Sequence, residues 1–224
     1  MAIDKSRTPM WMKVVIVLVA LTFVVGIGFS SLATACSTLT PGVTPPPTTS
    51  ASATQTVDAI ALQYTPVIQA LEASVTADPK NYDLLLAQAQ NYYGWGQQVQ
   101  QSLGESNSGQ DVPIWKAAST YYARALAERP GDVPTMGDYA VTLFYSGDVP
   151  AAIVQGEKVR VADPKFGPNL FNLGIFYANS GDTVKAKAAF EAYLVVEPAG
   201  DMAQSAKDNI ANLSAAPAPA PTTP

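Results

Sequence analysis

Ser-Gly-Asp stands at residues 146–148 and again at 180–182, and what surrounds it returns at the same interval. Gly147 and Gly181, Asp148 and Asp182, Ala140 and Gly174, and Ala152 and Ala186 are each 34 positions apart, and Pro130, Pro164 and Pro198 repeat that step. Self-similarity at this period limits the chain to an array of stacked units. Each unit is too thin to bury its own apolar side and must lean on the next.

The residue types say what one unit is. Ala140 and Gly174 fall on a first helix and Ala152 and Ala186 on a second, where small side chains let two antiparallel helices approach closely. Leu143 and Tyr177 fill the next layer of the first helix. Gly147 and Gly181 follow that helix, where a left-handed residue is wanted. Asp148 and Asp182 then cap the second helix through the free N–H groups of its first turn. Pro150 is tolerated because it falls in that turn. Pro164 and Pro198 disfavour helix in the residue before them and so end each unit.

With those residues in view, the chain resembles the tetratricopeptide repeat family. Residues 133–166 and 167–200 match its length and its pattern of small and aromatic places, and "LGIFYANSGDTVKAKAAFEAYLVVEP" is nearly a consensus unit. Unit 133–166 departs at Gly156, where a large aromatic is common, and at Val159, where alanine is usual. The resemblance implies an all-α helical solenoid of about three repeats with a capping helix.

An earlier unit, 82–132, is interrupted. Leu85, Ala89 and Tyr92 are in register on its first helix, and Ala118, Tyr122, Ala125 and Pro130 on its second. Pro79 and Pro130 are 51 positions apart, one period plus 17, which puts an insertion at about 94–113. It reads as an extension of the first helix followed by a polar loop. Before it, 65–79 reads as the second helix of a half unit, with Thr65-Pro66 as its start signal. "ADPK" at 77–80 recurs at 162–165. After the last unit, 201–213 is amphipathic, with Ala203, Ala206, Ile210 and Leu213 on one face, as a terminal cap requires. The repeat domain as a whole spans 57–214, and residues 215–224 form a Pro/Ala tail.

The chain begins quite differently. Residues 1–13 are short, polar and net positive, and Val14 to Ala35 carry no charge. As a helix that stretch would be about 33 Å long, enough to cross a hydrocarbon core of roughly 30 Å. The positive flank places residues 1–13 in the cytoplasm and everything after residue 36 outside it. The expectation is a single-pass signal anchor at 14–36 in a bacterial cytoplasmic membrane. Two alternatives stay open. Ala33-Thr34-Ala35 fits a signal-peptidase site, and Leu32 to Cys36 loosely resembles a lipobox with Cys36 acylated. Residues 37–56 are uncharged and rich in Pro, Thr and Ser, an extended linker rather than a core.

Composition excludes several chemistries. The single cysteine, Cys36, and the absence of histidine rule out an internal disulfide, a sulfur or imidazole metal site and any His-based triad. Net charge is −5, with no basic cluster beyond residue 13, which argues against a nucleic-acid partner. No Gly-rich phosphate loop is present, since "GWG" at 94–96 lacks both a preceding strand and a third glycine. Neither an enzyme nor a cofactor or metal is expected.

What remains is a binding surface. The resemblance implies that the first helices line a concave side that takes an extended or helical peptide. Carried onto this chain, the inward places are Leu86, Gln90 and Tyr93, then Val141, Phe144 and Tyr145, then Phe171, Ile175 and Asn179. They form an apolar and aromatic groove too poor in charge for ionic recognition. Some resembling proteins clamp a C-terminal carboxylate there, but Asn172 and Asn179 lack the basic companions such a clamp needs. Trp95 and Trp115 flank the insertion, and either pack it onto the first unit or form a lip of the groove. The function expected is a membrane-anchored interaction scaffold. The alternatives are a chaperone-like maturation factor, such as a cytochrome c assembly subunit, or an envelope-assembly lipoprotein.

Overall fold

A computed structural model describes residues 56–104 and 109–215. The expected membrane segment at 14–36, Cys36, nearly all of the linker and residues 216–224 lie outside the described residues. Within them no helix is long and apolar enough to cross a membrane.

All the regular elements described are α-helices: α1 (Val57–Ala77), α2 (Tyr82–Leu103), α3 (Val112–Glu128), α4 (Val133–Tyr145), α5 (Val149–Ala162), α6 (Gly167–Asn179), α7 (Thr183–Val196) and α8 (Ala203–Ala215). Each packs chiefly on the helix before and after it, and beyond nearest neighbours α4 touches α6. That is the contact pattern of a stacked array, in which units lean only on adjacent units.

The turns form as their residues demand. Gly147 and Gly181 take φ of 93° and 84°, left-handed conformations that a side chain would strain. Asp148 then accepts from the Ala151 N–H at 3.0 Å, and Asp182 from the Lys185 N–H at 3.0 Å, each satisfying an orphan donor of the helix it opens. Helices α5 and α7 stop at Ala162 and Val196, two residues short of Pro164 and Pro198.

The small residues are buried where the helices meet. Ala152 and Ala186 are fully buried and Ala140 almost so, in one cluster with Leu170, Leu173, Phe176, Phe190 and Tyr193. Gly156 stands 34 residues before Phe190. A Cβ there would meet the Leu173 side chain at 2.8 Å, so a leucine from the next unit fills the space an aromatic would take. Asn169, also buried, donates from Nδ2 to the Gly156 carbonyl at 3.0 Å.

The structure departs from the sequence expectation at α1. That helix begins at Val57, with Thr56 as its cap, and Pro66 lies inside it. The reason is the insertion. α2 runs on to Leu103, and its extra turns need cover. Ile60 and Val99 are both fully buried in one cluster, with Val57, Tyr64, Trp95 and Leu103 packed around them. Pro66 is exposed, and so is Leu62, whose carbonyl it leaves without its helical N–H partner. Beside it the Thr65 hydroxyl donates to the Ala61 carbonyl at 2.7 Å. At the other end α8 buries Ala203 and Ala206 and lays Ile210 and Leu213 against the core, leaving its polar side outward.

Candidate functional site

Three first helices, α2, α4 and α6, line one concavity of about 350 Å³. Six residues proposed from the sequence line it together: Tyr93 from α2, Val141, Phe144 and Tyr145 from α4, and Phe171 and Ile175 from α6. Gln97, Gln100, Asn172, Phe176 and Met202 complete its wall.

The rings are held in place from behind. Tyr145 stacks on Trp115 with centroids 4.8 Å apart, and Phe144 stacks on Phe176 at 4.9 Å. Phe144 and Tyr145 meet edge to face at 5.2 Å, and Phe171 does the same with Phe190 at 5.4 Å. A network of offset and T-shaped pairs leaves each ring little rotational freedom. Burial pushes the Tyr93 hydroxyl up to about 12, helped by the charge of Asp138 and by Tyr145. No Asp, Glu, Lys or Arg is among the lining residues.

The other sequence candidates fall elsewhere. Leu86 packs partly buried between the cores of the first unit. Gln90 is exposed but outside the concavity, and Asn179 turns its amide onto the Ile175 carbonyl at 3.0 Å.

Trp115 is fully buried and cannot be a lip. Its indole N–H donates to Asp111 at 2.9 Å, and its ring lies where a Cβ on Gly96 would come within 2.7 Å. Gly96 in "GWG" is therefore a place of close approach for the Trp115 ring. Trp95 stacks between Tyr64 and Tyr92, with centroids 6.1 and 6.2 Å away, and binds α1 to the extended part of α2. Both tryptophans pack the insertion onto the first unit.

Sequence reasoning missed Gln97, Gln100, Phe176 and Met202 as wall residues; from the sequence the glutamines read as a solvated helix face. The two glutamines lie in the insertion, where the family pattern has no place to carry across. Their i, i+3 spacing on a helix already known to run on was the available signal.

A second depression, of about 260 Å³, lies between α5, α6 and α7, floored by Leu170, Leu173 and Ala189 and rimmed by Glu157, Arg160, Tyr177 and Lys185. Its charges are already paired. Arg160 forks onto Glu157 at 2.5 and 2.8 Å, Tyr177 donates to Glu157 at 2.9 Å, and Lys185 meets Asp182 at 3.0 Å. Among the described residues no group of acidic residues is arranged to hold a metal ion.

No protein-family model matches the chain, and no curated protein matches it. Solved structures do. The crystal structure of MamA protein is similar at a TM-score of 0.51 and 16% identity, over 68% of this chain and 78% of that one. YrrB, described as a TPR protein with an unusual peptide-binding site, is similar at 0.41 and 15%, over 68% and 90% of the two chains. PilW, a type IV pilus biogenesis factor, is similar at 0.39 and 17%, over 69% and 84%. The MamA match, at that identity, speaks to the fold alone. The described helices share the stacked-helix fold of that structure.

Proposed function

We propose that this chain is a protein-interaction scaffold whose repeat domain binds a segment of a partner in the concavity between α2, α4 and α6. The observation that carries the reading is that three units contribute to one uncharged, aromatic-walled hollow. A wall of preset rings offers large apolar contact at low entropic cost, as interface anchors do. We propose further that residues 14–36 anchor the chain in a bacterial cytoplasmic membrane with the repeats outside the cytoplasm. That part rests on the uncharged run and its positive flank.

Capture of partners from intact cells by the wild type and by the Phe144→Ser, Tyr145→Ser double variant tests the reading. The variant is expected to lose the specific partner at unchanged membrane retention. Because both rings also pack on Trp115 and Phe176, Asn172→Asp serves as a companion that places a charge on the wall without removing core. Equal capture by all three proteins would remove the groove from the account. Mass spectrometry of the N-terminal peptide separates an intact anchor from cleavage after Ala35 and from acylated Cys36.

A further inference from the structure

The depression between α5, α6 and α7 has a counterpart earlier in the chain, and the counterpart is filled. From the pair we infer that the open one is a binding site for a small molecule carrying a para-hydroxyphenyl group.

The repeat sets the correspondence. Glu72 on α1 and Tyr92 on α2 stand 85 positions before Glu157 on α5 and Tyr177 on α6, the step that also separates the two "ADPK" stretches. Thr120, Tyr121 and Arg124 on α3 stand two periods of 34 before Ala188, Ala189 and Ala192 on α7. The groove across α2 between α1 and α3 therefore matches the groove across α6 between α5 and α7.

In the first groove Tyr121 takes the space. Its ring stacks on Tyr92 with centroids 5.7 Å apart, the Arg124 guanidinium lies over it at 5.1 Å, and its hydroxyl donates to the Glu72 carboxylate. In the last groove the three alanines remove that ring and its cover, and about 260 Å³ lies open over Leu170 and Leu173. A cavity of about 150 Å³ suffices for benzene. The counterparts of the two groups that hold the Tyr121 ring both line the open groove, as Glu157 and Tyr177. The stack does not demand that pair, for the middle groove has Ala123 and Leu143 in the same places.

An incoming phenol brings what the missing side chain brought, a face for Tyr177 and an O–H for Glu157. A phenol is neutral at pH 7 and donates. Burial opposes ionisation of Glu157, but Arg160 and Tyr177 outweigh it, so the acceptor is a carboxylate. Such a group has about four lone-pair sites. Arg160 uses both on Oε2, and Tyr177 uses one on Oε1. The site left on Oε1 takes the ligand, in the stronger class of hydrogen bond that a charged acceptor makes.

The rim narrows the ligand further. Its cations are engaged, Arg160 by Glu157 and Lys185 by Asp182, so an aromatic acid finds repulsion from Glu157 and no free counter-charge. Nor does the rim offer free groups to read a polypeptide around the ring, which favours a free phenol over a partner's tyrosine. The chain does not supply the ring itself. Residues 1–55 and 216–224 contain no tyrosine, and every tyrosine of the repeat domain is at least partly buried.

The test is a ligand-observed NMR titration of the full chain in mild detergent, with p-cresol as the probe. 4-Methylanisole has the same ring without the O–H, and 4-methylbenzoate carries a charge in its place. A short Gly/Ser peptide with one central tyrosine presents the ring from a polypeptide. The expected result is saturable p-cresol binding. 4-Methylanisole should be at least about tenfold weaker for want of a hydrogen bond to a charged group, the benzoate no better, and the peptide no tighter than p-cresol. Ala189→Tyr should abolish p-cresol binding and keep the helical circular dichroism, because Tyr121 shows that such a groove accepts that side chain. Ala192→Arg closes the same space one turn along and serves if Ala189→Tyr does not fold. Glu157→Gln should weaken p-cresol by roughly three- to tenfold and leave 4-methylanisole unchanged.

Binding of p-cresol indifferent to all three variants would place it elsewhere, in the α2/α4/α6 hollow or the detergent, and overturn the inference. Equal affinity for p-cresol and 4-methylanisole would remove the Glu157 contact and the phenol with it. Binding of the tyrosine peptide without p-cresol would give the pocket to a protein partner instead, and no binding of any probe would leave it without a ligand of this class.

Discussion

Ala152 shows how far a single side chain can be read. Its recurrence at Ala186 marks it as a contact between helices, and it is fully buried. Replacing it with Phe should cost about 1–3 kcal/mol through overpacking, read as a lower denaturant midpoint. An unchanged midpoint would contradict the register. Gln88, Gln155 and Asn169 were not legible in the same way. A lone amide reads as surface, yet all three are buried, with amide N–H groups aimed at the Ile68, Met136 and Gly156 carbonyls. Only the packed helices create those acceptors. The tyrosines carry a pH signature. Burial, with a carboxylate acceptor for the last two, pushes Tyr93, Tyr121 and Tyr177 up to about 12 from 10.0. Their folded values lie above their unfolded ones, so the neutral form favours folding. That stability is complete below pH 10 and is lost as pH rises towards 12. Denaturation midpoints across that window should fall steeply, and less so for Tyr177→Phe.

Helix ends are where local chemistry decides most, and the start of α5 was readable from Asp148 and Pro150 alone. Asp148→Ala should lower stability by about 1 kcal/mol, while Asp148→Asn should stay close to wild type, since both natural caps accept the same N–H. Thermal or denaturant unfolding checks both, and an Ala variant as stable as wild type would remove the cap from the account. The start of α1 was misread because Thr65-Pro66 is a sound start signal taken locally. The long α2 overrides it by needing Val57 and Ile60 as cover, and no local pattern carries that demand. Between units, tyrosine–carboxylate pairs act as ties. Tyr82 on α2 donates to Asp132 at the head of α4 at 2.9 Å, and Tyr177 on α6 to Glu157 on α5 at 2.9 Å. The Thr135 and Tyr82 hydrogen bonds hold the Asp132 carboxyl below its ordinary 3.8, against the opposing effect of burial. Burial also opposes ionisation of Glu157, but Arg160 and Tyr177 outweigh it and hold the group below 4.5. Their stabilisation is present above the unfolded values and fades as pH falls through the lowered ones. Burial raises Asp138, which works the other way and partly offsets the loss. Acid unfolding below about pH 4 should therefore be shallower in Asp132→Asn than in wild type.

At the scale of the molecule, the period of 34 carries the architecture, because a stack repeats its contacts and its sequence repeats with them. The hollow was legible only in part. Residues at repeated places, such as Val141 and Ile175, could be carried from unit to unit. Gln97 and Gln100 sit in the one stretch that breaks the period, and Met202 in the turn before the cap, where no repeat rule applies. Trp115 was ambiguous because a tryptophan beside an insertion serves a core or an interface equally well, and only its burial decides. The central claim is that partners dock between α2, α4 and α6 rather than on the outer faces of the second helices, where Val161 and Val195 are exposed. Site-specific photocrosslinking in intact cells tests it most directly, with the reactive side chain placed at Phe171 or Ile175 and, for comparison, at Val161 or Val195. The account predicts discrete partner adducts from the first pair and none from the second. Adducts from the valine positions alone, or equally from all four, would contradict it.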